Sequence, residues 1–223
     1  MGYSWDFGAL LGYVPAFIKG VYITFLLAAL SSVAGTLAGI PLAILLRRST
    51  FVSTSTKVFV DVIRAIPNLV LIFFFYYFPY KQMFGFEGFS PFLSALVALS
   101  IAQAAYSADM IRSSLEQVPR IQILGLRGLG MRQRDITRHL TVPFVIKNAL
   151  PGHVALWIGN VKLSSLSSVI GVEDVVFVAK VAMAQSFRSL EAWIIVGTVY
   201  ASLVFPLAYG MRRLEGSKWI QRQ

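Results

Sequence analysis

A bilayer core admits a helix of about 20 consecutive, mostly apolar residues, and this chain offers five runs of that kind, near 19–46, 58–79, 91–111, 144–170 and 192–211. Inside lipid every backbone N–H and C=O must be paired within its own segment, so a chain dominated by such runs folds as a helical bundle. Composition agrees. Of the 223 residues 57% are hydrophobic and 13% charged, and the mean hydropathy is +0.70, beyond what a water-soluble core requires. The expectation is an all-α integral membrane protein with five transmembrane helices, residues 1–223 forming one domain. The N-terminal stretch "MGYSWDFGALLGYVP" has no basic flank ahead of an apolar run, so no cleaved signal peptide is read and the first span is expected to be retained.

A formal net charge of +10 would raise nucleic acid as a partner, but the charges cluster at the ends of the apolar runs, which points to a membrane lipid surface instead. Arg47, Arg48 and Lys57 separate the first two runs. Arg112, Arg120, Arg127, Arg132, Arg134, Arg138 and Lys147 separate the third and fourth, and Arg212, Arg213, Lys218 and Arg222 follow the fifth. By the positive-inside rule these segments are cytoplasmic, which leaves the N-terminus outside and the C-terminus inside. Cysteine is absent, so disulfides and thiolate metal sites are excluded. There is no phosphate loop, no H-E-x-x-H and no G-x-S-x-G, and neither catalysis nor a cofactor is expected.

Within the spans, small residues recur at helical spacing, as Ser31, Gly35 and Gly39 in the first and Ser100, Ala104 and Ala108 in the third. Such faces let helix backbones approach closely in lipid. Asp61 with Arg64, and Asp109 with Arg112, stand at i, i+3, so each couple is expected to neutralise itself along one helix. Pro67 should kink or start the second span. The fourth span carries a polar stripe of Gly152, Asn160, Ser164 and Ser168, with Lys162 and Ser165 beside it and Gly171 at its end. A polar stripe in a membrane helix faces protein or water. It is read either as interhelical hydrogen bonding or, together with Gln103 of the third span, as the wall of a translocation path. His153 is read as a packing residue. Glu173 and Asp174 lie just beyond the stripe, either drawing cations toward the path or pairing with Lys180 or Arg188.

The stretch "ILGLRGLGMRQRDITRHLTVP", residues 123–143, interrupts this pattern with three glycines, several arginines and a closing proline. The glycines allow turns. Downstream of Gly130, Ile136 and Leu140 recur at i, i+4 on one face while Arg134 and Arg138 do so on another, as in a short amphipathic helix on a membrane surface.

In the order and spacing of its motifs the chain resembles the permease subunits of ATP-binding-cassette importers for polar amino acids and opines. That family carries a signature of Glu-Ala-Ala, three residues, Gly, nine residues, a branched aliphatic, one residue, then Leu-Pro. Here the positions read Leu124-Gly125-Leu126, Gly130, Leu140 and Val142-Pro143, with Leu124 in place of the glutamate. "VIRAIPNLVLIFF", "AAYSADMIRSSLEQVPRIQ" and "VKLSSLSSVIGVEDV" resemble further family segments in the family's order, although its Lys-Asp-Thr-Ser-Leu acid is here Leu163.

The resemblance implies the type I ABC importer permease fold, with a cytoplasmic coupling helix in about 120–143 that docks on the ATPase. Leu124, Gly125, Gly130, Arg132, Arg134, Arg138 and Pro143 would serve that coupling. It also implies a bacterial inner membrane location and three partners: an ABC ATPase subunit, a second permease subunit as homo- or heterodimer, and a periplasmic or surface substrate-binding protein. The substrate would be a polar amino acid, with the basic, histidine or opine type favoured by the "GVEDV" ending. Gln103, Asn160, Lys162, Ser164, Ser165 and Ser168 would line its path. An ion channel, a secondary carrier and a non-transporting membrane scaffold are the alternative classes.

Overall fold

The computed structural model of the chain describes residues 3–48 and 50–215; Lys218 and Arg222, expected to mark a basic C-terminal end, lie outside them. A 3₁₀ turn, Phe7–Tyr13, leads into α1 (Val14–Leu45). Then come α2 (Thr50–Ala65), α3 (Asn68–Tyr77), the short α4 (Tyr80–Phe84) and α5 (Pro91–Glu116). Between α5 and the next long helix stand α6 (Arg120–Gly128) and α7 (Gln133–Ile136). From α7 the chain passes through a π turn, Thr137–Thr141, into α8 (Val142–Leu163) and a 3₁₀ segment, Ser164–Ile170. Helices α9 (Val175–Ser186) and α10 (Ser189–Glu215) complete the described chain.

The centre of the bundle is the contact between α1 and α5. Thr24, Ala28, Ser31, Gly35, Gly39 and Ala43 form one buried stripe along α1. At Gly35 a β-carbon would lie 2.4 Å from Gln103 Cβ and 2.7 Å from the Ser100 carbonyl oxygen, and at Gly39 it would lie 2.6 Å from Ser107 Cβ. The two small-residue faces therefore pack backbone to backbone, as an ordinary bundle contact. Around this seam α3 adds Leu71 and Ile72 against Leu27, Ala95, Ala98 and Leu99. Helix α9 adds Val175, Val178 and Ala179 against Phe17 of α1 and Ala192 and Val196 of α10.

Pro67 acts as its ring chemistry requires. It cannot donate a backbone hydrogen bond and biases the preceding residue away from the helical region, and here α2 and α3 meet at 99° across it. Asp174 caps α9, its Oδ1 accepting from Phe177 N at 2.8 Å. At the same end of the bundle Glu191 of α10 is fully buried. It accepts hydrogen bonds from the Tyr3 hydroxyl and, at 3.0 Å, from Asp6 N, which ties the N-terminal segment across α10.

Three helical stretches among the described residues are long and apolar enough to cross a membrane, Phe7–Leu45, Pro91–Glu116 and Ser189–Met211, and a fourth is gained if the bent α2–α3 pair is one span. Helix α8 is not among them. It has the length, but Lys147, Asn148, His153, Asn160 and Lys162 interrupt its apolar character.

The tight seam gives a test. Gly35→Ala should destabilise the chain by about 1–3 kcal/mol, because the added methyl must separate two packed backbones. Gly197→Ala on α10, where a β-carbon meets nothing within 4 Å, should be neutral or slightly stabilising. Thermal melts of the two variants in the same detergent check this, and equal melting temperatures would contradict it.

Candidate functional site

Two kinds of polar group occur along α8 and its 3₁₀ extension, and they do different things. Asn160 is buried, and its Nδ2 donates to Ser31 Oγ at 2.8 Å and Ser32 Oγ at 3.0 Å on α1. Trp157 Nε1 donates to Thr36 Oγ1 at 3.0 Å. Gln103 is buried against Gly35 with its Nε2 unpartnered, and Ser164 is fully buried with its hydroxyl returned to the Val161 carbonyl at 2.8 Å. His153 is buried too, its Nδ1 2.9 Å from the Ala149 carbonyl. Asn160 and Trp157 thus tie α8 to α1 by hydrogen bonds, while Gln103 packs α5 against α1. Interhelical hydrogen bonds of this kind contribute roughly 0.6–2 kcal/mol each in lipid.

The second kind opens outward. After Leu163 the helix tightens, and the 3₁₀ segment ends at Gly171, whose φ of 90° falls in the left-handed region where a side chain would be strained. The tightening brings Lys162, Ser165 and Ser168 to the edge of a cleft of about 470 Å³ facing α9 and α10. Lys180 of α9 and Tyr200 of α10 stand across it, with Val176, Trp193 and Val196 as an apolar floor. Lys180 Nζ donates to Ser168 Oγ at 3.0 Å. The buried Tyr200 hydroxyl makes no full hydrogen bond and turns toward Ser164, Thr24 and Ser165. Two ammonium groups beside hydroxyls over an aromatic wall form a surface suited to a carboxylate-bearing polar molecule.

Of the six path residues read from sequence, Lys162, Ser165 and Ser168 thus meet at one cleft, while Gln103, Asn160 and Ser164 lie inside the subunit. Lys180 and Tyr200 were not singled out as lining residues. A lysine on a short apolar helix and a hydroxyl on an apolar span were the only signals for them. The acids beyond the stripe do not line the cleft. Glu173 pairs with Lys19 Nζ at 2.6 Å, and Asp174 is buried behind the wall with Oδ2 unpartnered. Neither takes Arg188, which instead faces Asp6 at 3.6 Å and Glu191 at 3.8 Å. From their positions these two acids exert no direct pull on a cationic substrate at the cleft.

The expected intrahelical ion pairs are also corrected. Arg64 Nη1 reaches across to Asp109 Oδ2 at 2.8 Å on α5, and its guanidinium lies 5.3 Å from the Tyr106 ring centre. Arg112 pairs one turn onward with Glu116 at 2.9 Å. Asp61 is exposed, with no cation within ion-pair distance among the described residues. At Arg64 the side chain bridges two helices, and the bridge fixes α2 on α5.

The charged segment differs from its expected shape as well. Gly125 and Gly128 lie within α6, and only Gly130 makes the turn, at φ 81°. Downstream of it no separate surface helix forms. Arg132 stands at the start of α7, Ile136 is fully buried, and the π turn carries the helix into α8 with Pro143 in its first turn. Arg134 and Arg138 point to the exterior. The free surface helix is α6. It presents Ile121 at 81% exposure and Leu124 at 63%, and Leu129 at its end is 81% exposed.

The family described as binding-protein-dependent transport system inner membrane component matches residues 35–218. The chain is 32% identical over 212 residues to the arginine transport system permease protein ArtQ of Bacillus subtilis (strain 168), covering 94% of this chain and 95% of that one. It is 28% identical over 214 residues to the glutamine transport system permease protein GlnP of Escherichia coli (strain K12), covering 95% and 97%. Among solved structures it superposes on an amino acid ABC transporter crystallised with histidines, with a TM-score of 0.86, 28% identity and coverage of 96% and 99%.

Asp174, between the last two long helices, sets a pH test. Burial pushes its carboxyl up from 3.8 to about 7, against the opposing pull of the Phe177 N–H and of Lys180. A carboxyl that holds its proton more tightly when folded stabilises the fold at low pH, and that contribution is lost as pH rises from about 4 to about 7. Asp174→Asn keeps the helix cap. The wild-type melting temperature should therefore fall across that range relative to Asp174→Asn, and parallel profiles would contradict the assignment.

Proposed function

Because the chain belongs to the family of binding-protein-dependent transport system inner membrane components, we propose that it forms one half of the membrane pathway of an ABC importer for a polar amino acid. Five spans serve this reading: α1, the bent α2–α3 pair, α5, α8 with its 3₁₀ extension, and α10. The N-terminus lies outside and the basic ends of α1, α5 and α10 face the cytoplasm. A second permease subunit packs against the largely exposed α10. An ABC ATPase docks on α6, through Ile121, Leu129 and Leu124, the last standing where the family signature has a glutamate, and a substrate-binding protein delivers ligand from the other side.

The observation that carries the reading is the cleft at the helix break. Lys162 and Lys180 hold the substrate carboxylate, while Ser165 and Ser168 offer hydroxyls to the remaining polar groups and the Tyr200 side chain forms part of the wall. The relatives are named for arginine and glutamine, which share the zwitterionic head but not the side-chain charge. A polar amino acid is thus the substrate class.

Uptake into proteoliposomes holding the permease with its ATPase and binding protein tests this. Transport should require ATP and fail on an ion gradient alone. Lys162→Gln with Lys180→Gln should raise the half-saturating substrate concentration at least roughly tenfold, since each lost charge-assisted hydrogen bond is worth about 1.5–3 kcal/mol. Uptake driven by a gradient without ATPase would assign the chain to the carriers instead.

Orientation has its own test, made clean by the absence of cysteine. Ser53→Cys and Gln133→Cys should resist an impermeant thiol reagent in intact cells, while Gln82→Cys should react. The reverse pattern would invert the topology.

A further inference from the structure

At the basic end of the bundle two cavities run into one another. The first, about 570 Å³, is apolar and lies along α1, α5 and α8, walled by Ile40, Ile111, Val145 and Ile146. The second, about 720 Å³, lies beyond the helix ends and is bordered by Arg47, Arg48, Arg120 and Arg127. Ile44, Leu115, Thr137 and Thr141 line both, so a single groove leads from membrane depth to a ring of guanidinium groups. The one acid on its rim, Glu116, is already held by Arg112 at 2.9 Å. Among the described residues none of the four arginines has a carboxylate within ion-pair distance, and Arg127 is braced by Gln133 Oε1 at 3.1 Å.

We propose that this groove binds an anionic phospholipid, one acyl chain lying along α1, α5 and α8 and the phosphate held by Arg47, Arg48, Arg120 and Arg127. Charge complementarity selects the occupant. A purely apolar groove would take any lipid tail, whereas four guanidiniums at its mouth favour a net negative headgroup, which each can contact with paired N–H donors. Arginine excess at a span end is explained in general by topology, but here two arginines come from the end of α1 and two from α6, residues well apart in sequence that converge on one apolar groove. On α6 the groove-lining residues Arg120, Ile123 and Arg127 stand apart from the exposed Ile121 and Leu124. Lipid and docking partner thus use different faces of one helix, and the lipid holds α6 against the ends of α1 and α5.

The test uses the full-length chain purified from membranes in mild detergent, offered equal amounts of phosphatidylglycerol and phosphatidylcholine, with retained lipid counted by native mass spectrometry. Wild type should retain phosphatidylglycerol preferentially. One basic side chain at an anionic surface is worth about fivefold, so Arg47→Gln with Arg120→Gln should cut the preference by at least roughly tenfold. Ile146→Trp, which fills the apolar part, should reduce retention of both lipids. Arg132→Gln with Arg134→Gln, at the start of α7 and outside the groove lining, should leave the preference unchanged, and inorganic phosphate at millimolar concentration should displace neither lipid. All four substituted arginines are exposed, so the paired variants should fold, as a melting curve checks. Equal retention of the two lipids by wild type, an unchanged preference in the Arg47/Arg120 variant, an equal loss in the Arg132/Arg134 control, or displacement by phosphate would each overturn the proposal.

Discussion

Between α1 and α5 there is no room for a β-carbon at residues 35 and 39, and the remaining helices are placed by that fact. The glycines let the α1 backbone settle onto Gln103, Ser100 and Ser107, which turns Ser31 and Ser32 toward α8, where Asn160 hydrogen-bonds to both. Lipid supplies no hydrophobic drive for helices to associate. Close backbone contact and a few buried polar bonds therefore hold the bundle, and a methyl group at the seam would weaken several contacts together. The same arrangement brings Gly20 of α1 within 3.0 Å, measured from a built β-carbon, of the chain at Asp174, and so positions the start of α9 and one wall of the cleft.

Polarity inside the bundle divides by its partners. Asn160, Gln103 and Ser164 face protein and serve packing, whereas Lys162, Ser165, Ser168, Lys180 and Tyr200 face a cleft. The division arises where α8 gives way to the tighter 3₁₀ segment. A continuous α-helix would have kept Asn160, Ser164 and Ser168 on one stripe; the change of pitch after Leu163 turns the later residues toward the cleft.

Much of this was legible in the sequence because it follows from local chemistry. The apolar runs mark the long helices, the small-residue faces of α1 and α5 meet as their spacing suggests, and Pro67 bends the chain. What failed to read through was long-range geometry. Helical spacing offers Arg64 a partner in Asp61, yet the side chain is long enough to choose Asp109, 45 positions away. Three glycines in one segment look alike in sequence, but only Gly130 has a backbone conformation that needs one, and the surface helix forms before it rather than after. Tyr200 and Lys180 became visible only when α10 and α9 were folded against the end of α8. Asp174 and Glu173 are neighbours in sequence with opposite surroundings, one buried and one exposed beside Lys19.

The joint between α7 and α8 has a mechanical meaning. Since the helical path runs through the π turn at Thr137–Thr141 without a break, residues from Gln133 to Leu163 form one continuous helical stretch with Pro151 inside it, roughly 45 Å long at about 1.5 Å per residue. Gly130 is the pivot at its foot, and α6, joined there, is the short arm. In such a lever a tilt of about 5° at the foot carries the far end some 4 Å sideways, comparable to the width of a hydrogen-bonded contact. The far end is where Ser165 and Ser168 face Lys180. On that geometry, a small angular change at the basic end corresponds to a sideways shift of roughly 4 Å at the end that borders the cleft.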